Sequence, residues 1–222
     1  MAVSNYEITK QRVQAEFHTH DLAPVLRKFP LRTDDQYVYL TFLSEAFRID
    51  RVSGRVERSR DGFLTCREAD FSQTLSIFDL LIDSQPDCRP AGTYCRINSL
   101  PGVAKTASAP AEDETFPAQA HRVEDDPEGF RRACGKLGGE PFGIGDISYT
   151  IPIFEGLRAV AQFWFADEEF PPQLLILWDS HMLHYVRYET VWYIRGCLLG
   201  RIFEEMENAR QGGKRNGTDC VL

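Results

Sequence analysis

Three strand-like runs stand in direct succession in the C-terminal half of the chain: 147 to 154, 157 to 165 and 174 to 178. Gly156 divides the first two, and an acidic, proline-rich corner divides the second from the third. The corner reads Trp164-Phe165-Ala166-Asp167-Glu168-Glu169-Phe170-Pro171-Pro172. No stretch of helical period lies between these runs, so they must pair antiparallel through short connections, because a parallel pair needs a crossover of about a dozen residues. The same grammar opens the chain's first half. Tyr37 to Leu43 alternates as a strand, Ser44-Glu45 reads as a two-residue link, and 46 to 50 returns. Turns at Ser53-Gly54 and Asp61-Gly62 extend this into a small meander.

Helices flank these strand clusters. Residues 6 to 29 carry the spacing of one or two helices, with Asp21 as a cap between them. Asp70 begins a better-marked one: Gln73 stands at the reciprocal capping-box position, and Phe71, Leu75, Phe78 and Ile82 form one apolar face. Asp126-Pro127-Glu128 places a cap, a proline at the first helical position and an acid in the first turn. Phe130, Cys134 and Leu137 follow as a stripe that ends at Gly138-Gly139. A last helix from about Thr190 to Glu207 aligns Val191, Ile194, Leu198 and Ile202. Strands cluster with strands instead of alternating with helices, so the expected class is α+β, with helices packed on antiparallel sheets. The order of elements suggests two related meander-plus-helix halves. One domain over residues 1–207 is expected, with a mobile acidic, alanine- and proline-rich loop at about 103–125 and a disordered tail over 208–222.

Composition limits the partners. The 222 residues include 33 acids and 25 bases, a net charge of −8, which disfavours nucleic acid or an anionic membrane as a general partner. Much of the excess sits between Ala111 and Glu128, where seven acids face Arg122 alone. The N-terminal residues lack a basic start and an apolar run, and no window approaches 18 consecutive apolar residues, so a cytoplasmic location is expected. Six cysteines without a Cys-x-x-Cys pair read as reduced thiols. Cys134 falls on the buried stripe of its helix, which suits an inert core thiol.

Several phrases together resemble the DUF3786 family, a domain of unknown function found mainly in anaerobic bacteria and archaea. They are the hairpin Leu40-Thr41-Phe42-Leu43-Ser44-Glu45-Ala46-Phe47-Arg48-Ile49, the turn Arg96-Ile97-Asn98-Ser99-Leu100-Pro101-Gly102, Lys136-Leu137-Gly138-Gly139 with Gly145-Asp146, and above all Trp164 to Pro172 with Trp178-Asp179 and His184-Tyr185. The resemblance implies no reaction, and it leaves any cofactor unknown.

Candidate chemistry therefore rests on the residues themselves. Asp167, Glu168, Glu169 and Asp179 stand at strand ends around Phe170-Pro171-Pro172, where they could share a site or hold a cation, with His184 close in sequence. Acids in a turn more often face water. The stiff, apolar Phe170 and the two prolines point instead to a corner packed on the body, with Asp179 and His184 facing the same hollow. His181 with His184, or His18 with His20, offers only two imidazoles each, short of the four ligands of a structural metal site. Gly143-Ile144-Gly145-Asp146 precedes a strand and so reads as a turn, not a phosphate cradle. Ser180-His181 lacks the third group and the elbow of a hydrolase. The expected function is a non-catalytic module that binds a small-molecule or protein ligand through Asp167, Glu168, Glu169, Asp179 and His184. The alternative is a metal-assisted or acid-base enzyme using the acidic turn and the 179–184 segment, which requires those side chains to converge.

Overall fold

The computed structural model describes residues 4–103 and 116–215, with side chains described to residue 208. Two five-stranded antiparallel sheets make an α+β fold. The first contains β1 (Arg32–Thr33), β2 (Tyr37–Phe42), β3 (Glu45–Asp50), β4 (Val56–Ser59) and β5 (Arg67–Glu68), paired in chain order. The second contains β6 (Tyr94–Cys95), β7 (Glu140–Pro141), β8 (Ile147–Phe154), β9 (Leu157–Trp164) and β10 (Gln173–Asp179), in the order β6-β10-β9-β8-β7. The three successive runs thus pair as neighbours, as the absence of helical period between them requires.

Among the described residues the helices are α1 (Asn5–Glu16), α2 (Ala23–Lys28), α3 (Phe71–Phe78), α4 (Pro117–Asp125), α5 (Pro127–Lys136), α6 (Met182–Tyr185) and α7 (Tyr188–Arg215). The capping box forms as expected: Gln73 N donates to Asp70 Oδ1 at 2.9 Å, and Asp70 N donates to Gln73 Oε1 at 3.1 Å. Asp126 caps α5 by accepting from Gly129 N at 2.8 Å. Helix α7 lies against both α3 and α5. Its Val191, Ile194, Leu198 and Ile202 are fully buried, and one continuous apolar cluster runs from Phe17 to Met206 through both sheets.

Three expectations are corrected. The β2–β3 turn is Leu43-Ser44, not Ser44-Glu45: both turn residues have positive φ, 49° and 59°, and Glu45 opens β3 opposite Phe42. Two left-handed non-glycine residues cost about 1–2 kcal/mol each. The tip is held by docking on the second sheet and on the end of α5: Leu43 N donates to Ile153 O of β8 at 3.0 Å, and Ser44 Oγ to Leu137 O at 2.7 Å. The acidic stretch expected as a loop is helical over Pro117–Asp125, because Ala120 and Val123 bury completely; residues 104–115 lie outside the described residues. The last helix continues to Arg215, past the expected end at Glu207, and the rest of the tail, 216–222, is outside the described residues.

The one-residue correction at the hairpin buries Glu45. Its side chain is 4% exposed and faces Arg60 Nε at 3.0 Å, Arg58 at 3.2 Å and Arg201 Nε at 4.0 Å. Arg60 and Arg201 each reach on to Glu204 at 2.7 Å, so this ion group ties the first sheet to α7. Hydrogen bonds from Arg60 and Arg201 hold the Glu204 carboxyl down at about 2, against its ordinary 4.5. A depressed acid contributes stability above its unfolded value and loses it as pH falls toward the folded one. Wild type should therefore lose more of its urea midpoint between pH 5 and pH 3 than Glu204→Gln does, and equal losses would refute the role.

Candidate functional site

Residues 165–172 join β9 to β10 as the acidic corner. Its backbone is pinned from both sides: Phe165 N donates to Asp146 Oδ2 at 2.8 Å, and Ala166 N donates to Glu124 Oε1 of α4 at 3.1 Å. Asp167 closes the turn itself, its Oδ1 accepting from Glu169 N at 2.8 Å and Phe170 N at 2.7 Å. Those two bonds hold its carboxyl below the usual range. Pro172 is buried, yet Asp167, Glu168, Glu169, Phe170 and Pro171 all face solvent. The corner is thus anchored through its backbone, Pro172 and the Phe165 ring, which stands edge-on to the buried Phe163 with centroids 5.0 Å apart, while its acidic side chains and Phe170 point outward.

Asp179 sits at the far end of the same strand. Six residues of β10 separate it from the corner's last turn, about 20 Å at strand rise. It is 1% exposed and accepts three backbone hydrogen bonds, from Gly92 N at 2.8 Å, Ala91 N at 2.9 Å and His181 N at 2.8 Å. The His181 ring stacks on His184, centroids 4.5 Å apart, and its Nδ1 lies 3.0 Å from Arg89 O. His184 O accepts from Gln85 N. Together these bonds fasten segment 85–93 across the end of the second sheet. The expected convergence of Asp167, Glu168 and Glu169 with Asp179 and His184 does not occur, so the acid-base arrangement that needed it is absent. His18 and His20 lie exposed beyond α1. Among the described residues no three His, Cys, Asp or Glu side chains gather as a metal-ligand group.

A different arrangement escaped the sequence reading. Helix α3 ends at Phe78 and passes into a wider π-helical turn, Asp79–Asp83. Such turns are rare and recur at functional sites. Asp79 is 9% exposed; it accepts from the Thr190 hydroxyl and, at 3.4 Å, from Arg187 N at the start of α7. The Arg187 guanidinium pairs with Asp83 and stands 3.8 Å from Asp79 Oδ1. Burial pushes the Asp79 carboxyl up; Thr190 opposes this and Asp83 adds to it. One signal was available: Asp79 lies four residues after Leu75, inside an apolar stripe where a carboxylate is out of place.

A family model described as a domain of unknown function (DUF3786) matches residues 21–201 of the 222, and the chain belongs to that family. No curated protein and no solved structure matches it.

Proposed function

We propose that the protein is a non-catalytic docking module whose corner, residues 165–170, receives a partner protein with a basic, partly apolar surface. The observation that carries this reading is the exposure of Phe165 and Phe170, 42% and 57%, on a backbone pinned by Asp146 and Glu124. Exposed aromatics on a preorganised loop are the material of binding hot spots, since little ordering entropy is lost on contact. Glu168 and Glu169 beside them favour a partner of opposite charge and steer its approach. Of the five expected ligand residues, Glu168 and Glu169 belong to this surface and Asp167 shapes it. Asp179 and His184 hold the opposite end of the sheet. We infer a cytoplasmic location: no described helix is long and apolar enough to cross a membrane, and the six cysteines contain no Cys-x-x-Cys pair.

A photo-crosslinking side chain in place of Phe170 tests the reading in cells, with one in place of the exposed Val52 of the β3–β4 turn as control. A protein captured at 170 but not at 52, then purified, should bind Glu168→Lys/Glu169→Lys at least about tenfold more weakly at low salt. Binding unchanged by charge reversal, or equal capture at both positions, would overturn it.

A further inference from the structure

We propose that the hollow between α1, the π-helical turn and the start of α7 binds a small molecule carrying a primary ammonium group on an apolar body. This site is separate from the docking corner, and its case does not depend on that reading.

The hollow measures about 440 Å³, within the range of small-ligand sites. Val13, Leu75, Phe78 and Ile82 give it an apolar lining, with Tyr193 at one side. Asp79 and Asp83, four residues apart on the π turn, stand together at its wall. Glu16 and Glu189 add negative charge, and Arg12 and Arg187 supply the positive charge. Four carboxylates against two guanidinium groups leave the hollow with an acid excess.

Capping α7 explains Asp79 alone, through its bonds to Arg187 N and the Thr190 hydroxyl. It does not explain why a second carboxylate is brought beside it at a cost in like-charge repulsion. Arg187 now lies across the pair, but its side chain is 65% exposed, so its guanidinium can swing into water at small cost. An ammonium group is more compact and brings three donors to two carboxylates. In Arg187's place it would leave room for an attached aliphatic or aromatic body over Val13, Leu75 and Ile82. The present arrangement is then the closed form of the site, with the protein's own cation in the ligand's position.

That substitution makes an unusual demand: removing a positively charged residue at the mouth should strengthen binding. The test is calorimetric titration of the purified full chain with hexylamine and phenethylamine at pH 7, with hexanol as the uncharged control. Both amines should bind wild type and hexanol should not. Arg187→Ala should bind the amines several-fold more tightly, and Asp83→Asn at least about tenfold more weakly, as expected for losing a charged partner. Asp83 is on the solvent side of the pair, so this variant keeps the buried Asp79 cap; circular dichroism confirms the fold of each variant. Absence of amine binding to both wild type and Arg187→Ala at millimolar concentration, or equal affinity in Asp83→Asn, would overturn the proposal. Equal binding of hexanol and hexylamine would likewise overturn it by showing an apolar hollow without charge recognition.

Discussion

Glu45→Ala should lower the free energy of unfolding by about 3–5 kcal/mol, the range for removing one partner of a buried ion group. The carboxylate is the common acceptor for Arg58, Arg60 and Arg201. Without it three guanidinium groups lose the buried acceptor they share, and the Nε atoms of Arg58 and Arg201 already lack a hydrogen-bond partner. An exposed pair supplies the contrast. Arg131 and Glu128, 3.2 Å apart but 40% and 70% exposed, should contribute under about 1 kcal/mol when Arg131 is replaced by alanine. Urea unfolding of both variants beside wild type measures the difference, and a loss below 1 kcal/mol for Glu45→Ala would show that the group is not stabilising in sum.

Asp179→Ala is the second large effect, about 2–4 kcal/mol, because three backbone N–H groups lose a charged acceptor together. The loss should be local as well as global. Segment 85–93 is fastened to the second sheet through Ala91 and Gly92, so limited proteolysis should cut the variant there while wild type resists. His184→Ala, which removes a half-buried ring stacked on His181, should unfold within about 1 kcal/mol of wild type. If Asp179→Ala instead matched wild type in stability and protease resistance, the carboxylate would be free for a ligand and its structural assignment here would fail.

What could be read in the sequence divides along physical lines. The Asp70-Gln73 box, the Asp126-Pro127 start and the apolar stripe of α7 were legible because each is a local rule carried by residues within a few positions of one another. The two meanders followed from the spacing of strand-like runs. The hairpin register did not, because Leu43 and Ser44 adopt left-handed backbone only where contacts with Ile153 and Leu137, about a hundred residues away, hold them. Helix α4 was hidden by its acids, since just Ala120 and Val123 of its nine residues reach full burial. The corner was recognised but turned the wrong way. Its prolines announced rigidity, and rigidity came from Asp167, from Asp146, from Glu124 of α4 and from the buried Pro172, rather than from packing of Phe170. The Asp79-Asp83 pair was missed because a π turn has no sequence period of its own and becomes visible only when α7 lies beside it.

That π turn also gives the segment after Phe78 an uncommon tolerance of length. A π turn takes up one residue more than an α turn, so a chain one residue shorter between Phe78 and Ser84 could continue the ordinary α-helical ladder while the later side chains kept their direction about the axis. Asp79 and Asp83 would then stand three positions apart, still on one face beside Arg187. A deletion within α5 or α7 has no such slack and would turn every residue beyond it by about 100°.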